Sequence, residues 1–342
     1  MINGEIMKEY RIVVTLLVVL MGLAVSSLFS EDTWRLDKEG QWKTVSNEDK
    51  YLMEVTEIKR LINMGETEAV GNAINELKNN FPEIAGPDLD AFMKAEMLYS
   101  EGKFTEAVRS YDKFLAQFPS SEFYEAALSR QFAIATAFLG GQKKSILGGV
   151  VKLNGYAEGA KIMAAITDRA GDSPIGIRAA VAVAQSLEER AKFEQAYLKW
   201  SEISSRWPTG QTGKDAALAM ARCKHASYRG PKYDASYLIS AKGYYESFKL
   251  RYPAEADELG IDGILEQISE QLAYKQFNVG RYYQQIGNIQ SANVYYQMVI
   301  DNWPGSTAAE MAKQAMNEEN SGAEKGEKWE KNIMSKFEKL LL

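Results

Sequence analysis

Apolar side chains recur along most of this chain at intervals of three and four, the spacing that lines one face of an α-helix. In the stretch GKFTEAVRSYDKFLAQFPSS, from Gly102 to Ser121, Phe104, Ala107, Tyr111 and Phe114 share such a face. The helix has to stop at Phe118, because Pro119 pushes the residue before it out of the α region. Counted from the small residue Ala107, apolar or aromatic side chains stand four, seven and eleven positions on, and proline twelve on. The same count gives Val70, Ile74, Leu77, Phe81 and Pro82, then Ala196, Trp200, Ile203, Trp207 and Pro208. It also gives Ala241, Tyr245, Phe248, Tyr252 and Pro253, then Ala292, Tyr296, Val299, Trp303 and Pro304. Five of the eight prolines therefore hold one place in a repeating unit. A decayed copy starts at Gly159 with Met163 and Ile166, and has Ala170-Gly171 where the aromatic and proline would stand.

A helix with a small residue facing its neighbour and an aromatic-proline end is the second half of a helical hairpin of tetratricopeptide (TPR) type. A methyl is all that fits where two antiparallel helices approach closely. The pattern predicts an all-α fold, a TPR-like helical-hairpin solenoid of about six hairpins. Four segments follow: 1–29 as signal peptide or membrane anchor, 30–50 as polar linker, 51–316 as solenoid, and 317–342 as charged linker plus amphipathic helix. Within the solenoid, 257–286 reads as one long helix. The glycine-broken stretch 143–156 reads as a loop inserted between repeat helices, and it lacks the GxxxxGK[ST] spacing of a phosphate loop.

At the N-terminus, Lys8 and Arg11 precede an apolar run from 12 to 24 interrupted only by Thr15 and Gly22, with small residues at Ala24, Ser26 and Ser27. That is the layout of a secretory signal peptide; extended through Phe29, it also reaches the lower length limit of an uncleaved anchor. Both readings export the bulk of the chain. No cysteine lies nearby, so a conventional lipoprotein is not expected. Trp34 and Trp42 in the linker pack on the first repeat or meet a partner. At the other end Trp329, Ile333, Phe337 and Leu340 form an amphipathic stripe that caps the last repeat or docks elsewhere. Glu327, Glu330 and Glu338 balance its lysines, which argues against attraction to anionic lipid.

Composition narrows the chemistry. The 46% hydrophobic and 25% charged residues are those of a folded protein, and a net charge of −6 disfavours a nucleic-acid partner. Cys223 and His225 stand alone in their kinds, which excludes an internal disulfide and most cysteine- or histidine-based metal and triad chemistry. Pairs such as Glu188-Glu189 and Glu318-Glu319 read as solvated charges. No enzyme activity, metal or cofactor is expected, although a glycosidase needs two carboxylates and no motif. Binding suits stacked hairpins better, because their first helices line a surface that holds extended peptides or a partner's loop. Repeat register places Phe92, Glu96 and Tyr99 of the second hairpin and Arg130 of the third on that surface, with Arg130 suited to a carboxylate. Packing of Phe92 and Tyr99 between hairpins is the competing reading.

The stretch RYYQQIGNIQSANVYYQMVIDNWPGS, Arg281 to Ser306, carries a basic residue, paired aromatics, a turn, small residues and aromatic-proline. With the export segment and the helix ends Pro119-Ser120-Ser121 and Pro304-Gly305-Ser306, it resembles the BamD-like TPR family, the scaffold of outer-membrane β-barrel assembly. The likeness covers about Tyr51 to Met316 and looks like a divergent bacterial branch. It implies a site on the periplasmic side of the outer membrane. It also implies N-terminal repeats that receive unfolded outer-membrane protein segments, and C-terminal repeats, with Arg281, Tyr282 and Tyr283, that hold the β-barrel assembly subunit. Membrane association would run through the N-terminal segment or the partners, since the family's lipidated cysteine is missing. A periplasmic adaptor similar to the Tol-Pal coordinator, or a structural envelope protein, is the alternative; the former usually adds a coiled coil that this chain lacks.

Overall fold

The computed structural model describes residues 34–36, 41–146 and 151–321. The expected export segment at 1–29 and the stripe from Trp329 to Leu340 lie outside them, as do the side chains of Trp34 and Trp42. The chain divides into two compact units, one up to Ala127 and one from Leu128.

The first unit opens on a short antiparallel hairpin, β1 (Trp34–Leu36) against β2 (Trp42–Thr44), inside the stretch read as a linker. Helix α1 (Asn47–Met64) begins before position 51 because Ser46 caps it. The Ser46 hydroxyl accepts the Asp49 N–H at 3.0 Å, and the Asp49 carboxylate accepts the Ser46 N–H at 3.2 Å. This reciprocal box satisfies two donors that a helix start leaves unpaired. Then come α2 (Thr67–Asn80), α3 (Pro87–Ser100) and α4 (Phe104–Gln117); the division falls within the next helix, α5 (Tyr124–Leu139).

After α5 the expected loop is a second antiparallel hairpin, β3 (Lys143–Ile146) with β4 (Val151–Asn154). Glycines break helical spacing without forbidding extended backbone, so the helical pattern alone does not reveal the strands. The second unit continues with α6 (Tyr156–Ala170), α7 (Pro174–Glu189), α8 (Phe193–Arg206), α9 (Gly210–Ala226) and α10 (Ser236–Arg251). The long helix expected at 257–286 is two: α11 (Pro253–Glu258) and α12 (Ile261–Gln285). Gly260, at φ 64°, turns the chain between them into the left-handed region, which glycine enters without a Cβ penalty. Finally α13 (Ile289–Asn302) packs on α12, and α14 (Thr307–Ser321) covers both. The last helix outruns position 316 by five residues.

The repeat count holds in three dimensions. Val70, Ala107, Ala196, Ala241 and Ala292 are all fully buried, and the side chains four and seven places on are buried with them. The decayed copy is real: Gly159, Met163 and Ile166 are buried on α6, and a Cβ at Gly159 would meet the Ala135 carbonyl and Leu139 N of α5 within about 3.0 Å. The pre-proline aromatics Phe81, Phe118, Trp207, Tyr252 and Trp303 are half-buried and end their helices alike. Their φ values run from −126° to −136° and ψ from 54° to 73°. In the second unit the core is a succession of clusters, around Trp200, around Tyr245 and around Tyr296. A chain of small cores is what a repeat architecture builds.

Candidate protein-binding surface

The predicted groove residues of the first unit are mostly core. Phe92 is fully buried, stacked on Phe123 with centroids 4.8 Å apart and tilted against Phe114 at 5.6 Å. Glu96 is buried too, and its carboxylate accepts the Tyr111 hydroxyl. Tyr99 is half-buried, its ring tilted against Phe104 at 5.6 Å. Arg130, which belongs to the second unit and is expected to meet a partner's carboxylate, is 1% exposed. Phe92, Glu96 and Arg130 are thus buried rather than presented on an open groove, while Tyr99 stays partly exposed. Repeat register says which face of a first helix a residue occupies, not how much of that face packing covers. Glu96 retains a foothold on a shallow pocket of about 250 Å3 between α2 and α3, with Gly71 and Met97 beside it.

The Glu96–Tyr111 contact recurs. On α7, Glu188 accepts the Trp200 indole N–H at 2.5 Å, and on α12, Gln284 accepts the Tyr296 hydroxyl at 2.8 Å. Tyr111, Trp200 and Tyr296 all stand four places after the small residue, so each polar tip reaches back to the first helix of its own hairpin. A buried hydroxyl or indole N–H needs such a partner. A hydrogen bond to a charged group contributes about 1.5–3 kcal/mol. Glu188, expected to be solvated, also accepts Arg222 through Nε at 2.9 Å and Nη2 at 3.0 Å, tying α9 to α7. Sequence reasoning missed these locks, since a polar residue on a first helix reads as groove or as a solvated charge.

The second unit holds a cleft of about 1130 Å3 between α6 and α8, floored by α7. Ala160, Ala164 and Ala180 leave the space that larger residues would fill, and Leu198 stands 63% exposed at its edge. Its rim is charged: Lys199 pairs with Glu202 at 2.7 Å, while Arg206 lies 4.7 Å from the Trp207 ring centroid and 3.5 Å from Asp172. The stripe of alanines was visible in sequence, but it reads equally as helix-helix packing.

On the next hairpin, Lys224 lies over Tyr197 at 3.9 Å and Tyr237 at 5.5 Å, with Glu194 at 3.3 Å. Tyr197 and Tyr244 share a hydroxyl contact of 2.6 Å, and burial together with that contact pushes the Tyr244 phenol up to about 12.

The third region is the hairpin of α12 and α13. Tyr283 stacks on Tyr295 with centroids 5.3 Å apart and planes 7° apart, and Tyr282 meets the Tyr283 ring edge-on at 5.6 Å. Arg281 is half-buried, whereas Tyr282 is 58% exposed. Ile286 follows one turn after Tyr282, and Val294 and Met298 stand one turn apart on α13; all are exposed, as is Ile289 at the turn. Of the three partner-binding residues expected here, Tyr282 is openly accessible, and Tyr283 serves as its support.

The remaining reactive groups are sequestered. Cys223 is fully buried, and desolvation pushes its thiol up to about 12. His225 contacts Gln271 at 3.2 Å and the Tyr245 ring edge at 6.2 Å, and burial holds its pKa below the ordinary value. Among the described residues no group of three or more His, Cys, Asp or Glu is placed to hold a metal ion. No helix among them is long and apolar enough to cross a membrane.

Two segments, 91–121 and 276–306, match the tetratricopeptide repeat family model. These are the hairpins of α3–α4 and α12–α13, and the repeats mark a protein–protein interaction scaffold. No curated protein matches the chain.

Proposed function

We propose that this chain is a non-catalytic, exported TPR scaffold on the periplasmic side of a cell envelope. There it would hold partner proteins during outer-membrane β-barrel assembly, as the BamD-like family it resembles does. The observation that carries the reading is the run of exposed apolar side chains on α12–α13, Tyr282, Ile286, Ile289, Val294 and Met298. They fall within or beside the stretch from Arg281 to Ser306, where the resemblance to that family is strongest. Exposed aromatic and aliphatic groups on a rigid hairpin are the usual anchors of a protein interface. The stacked Tyr283–Tyr295 pair beneath Tyr282 limits the entropy lost when a partner docks.

The test is gentle solubilisation of membranes, isolation of the protein, and identification of what accompanies it. Stoichiometric recovery of a barrel protein with periplasmic repeat domains, lost in a Tyr282→Ala/Ile286→Ala variant that keeps its helicity, is the expected result. Recovery of a peptidoglycan-associated or Tol-like partner, or of none, sinks the assignment.

A further inference from the structure

Helix α12 is 25 residues long, against 16 for α7 and 17 for α9, the first helices of the two preceding hairpins. A step of seven residues nearly returns to the same face of a helix, so Ile261, Ile268, Lys275 and Tyr282 form one row. The row changes character along its length. Ile261 and Ile268 are 1% and 0% exposed, packed in the cluster of Leu238, Tyr245 and Phe248 from α10, whereas Tyr282 is 58% exposed. The preceding hairpin therefore covers the first half of this face, and the second half overhangs.

The changeover falls at Lys275. Its ammonium donates to the Pro231 carbonyl at 3.2 Å and to the Tyr233 carbonyl at 2.5 Å. These bonds pin the α9–α10 loop, 227–235, against α12 where the overhang begins. Tyr233 N also donates to the Gly230 carbonyl at 3.0 Å, so the loop carries a turn of its own. Beyond Lys275, about two and three turns on, Tyr282 and Ile286 continue the uncovered face.

The corner between loop and overhang is basic. Positions 216–233 and 271–300 hold no Asp or Glu, within a chain of net charge −6. Asp234, the first carboxylate after the loop's cations, is committed to the start of α10, accepting Ser236 N at 3.1 Å and Ser236 Oγ at 2.5 Å. Arg229, Lys232 and Tyr233 are exposed, and among the described residues neither cation has a carboxylate partner. A loop already fixed by Lys275 loses little freedom when a partner docks. Opposite charge then steers and orients that partner. We propose that this corner docks a segment of a partner protein that is acidic where it meets Arg229 and Lys232 and apolar where it meets Tyr282 and Ile286. The seven residues from Lys275 to Tyr282 set the two ends about 10 Å apart. The inference rests on the reading of α12–α13 as a partner surface, with which it shares Tyr282 and Ile286, and it adds the partner's charge and a second anchoring element.

The experiment uses the full chain and fluorescein-labelled peptides in which a Glu block and a Leu-Phe block, in either order, flank an Ala-Ser spacer. Spacers of about two to seven residues bridge roughly 10 Å in extended or helical form. Fluorescence polarisation at low salt should show saturable binding for at least one spacing, about tenfold or more tighter than for its Lys-for-Glu counterpart. An R229E/K232E variant of unchanged helicity should invert that preference, and Tyr282→Ala should weaken binding of either peptide. The wild-type comparison stands even where a variant fails to fold. The proposal is overturned if no Glu peptide binds saturably, or if R229E/K232E or Tyr282→Ala leaves binding unchanged. Anionic vesicles or a single-stranded oligonucleotide that displace the peptide more effectively than unlabelled peptide overturn it too. R229E/K232E also separates this inference from the function it rests on, because it spares Tyr282 and Ile286. Full recovery of a barrel partner with that variant defeats the charged contact and leaves the scaffold reading standing. Selective peptide binding without a barrel partner upholds the corner and defeats the barrel assignment.

Discussion

The turn inside four of the hairpins places one residue in left-handed backbone: Gly65 at φ 81°, Gly102 at 71°, Gly287 at 81° and, alone among them, a residue with a side chain, Ala191 at 54°. Hydrogen bonds explain why Ala191 does not escape. Ala191 N donates to the Glu188 carbonyl at 2.8 Å and Lys192 N to Leu187 at 2.8 Å, the pattern made by Gly102 with Tyr99 and Lys103 with Leu98, both at 2.9 Å. These bonds satisfy the last carbonyls of α7, so relaxing φ would forfeit them. An L-residue in this region costs roughly 1–2 kcal/mol. Glycine instead loses about 0.4–1 kcal/mol to the greater freedom of its unfolded chain. Ala191→Gly is therefore expected to stabilise the second unit by about 0.5–1 kcal/mol, a rise of roughly 2–3 °C in Tm for a unit of this size. Gly102→Ala and Gly287→Ala should lower stability by a similar amount. Both positions have no atom within 4 Å of a built Cβ, so the loss would come from backbone alone. Thermal and urea unfolding followed by circular dichroism measure all three. A neutral or destabilising Ala191→Gly, beside a destabilising Gly287→Ala, would refute the claim that position 191 is strained.

Other outcomes follow from packing and titration. Gly280→Ala sets a Cβ 2.6 Å from Cε1 of Tyr296, a buried ring held by Gln284, and should cost about 1–3 kcal/mol in urea unfolding. Gly243→Ala, at an exposed position of α10 with nothing within 4 Å, should be neutral or stabilising by up to about 1 kcal/mol. Cys223 should resist iodoacetamide in the folded protein at mildly alkaline pH and react once urea unfolds it, because burial both blocks access and holds the thiol protonated toward a pKa of about 12. Prompt labelling of the native chain would contradict the placement of α9. His225 has a folded pKa below its ordinary 6.5, so the unfolded state binds its proton first. Its contribution is complete above about pH 6.5 and is lost as pH falls from there toward the folded value. His225→Gln should flatten that part of the stability profile; an unchanged slope between wild type and variant would count against the buried histidine.

The repeat itself was legible in the chain. A small residue, apolar groups at four and seven, and aromatic-proline at eleven and twelve are local signals, since each acts through helix geometry or the steric demand of proline on its neighbour. They located the second helices, the helix ends, and the decayed copy at Gly159. Other features depended on contacts between residues distant in sequence, or on local chemistry that helical spacing does not report. The capping box at Ser46 and the break at Gly260 altered helix limits by local bonding. The strands β3 and β4 had no helical period to betray them, because an extended hairpin is specified by pairing across its turn. The locks from Tyr111 and Trp200 turned Glu96, read as a groove residue, and Glu188, read as a solvated charge, inward. Phe92 and Arg130 went the same way. Periodicity tells which side chains share a face, but only the packed structure decides how much of that face a neighbouring hairpin covers, because burial is a property of two surfaces and the sequence pattern describes one.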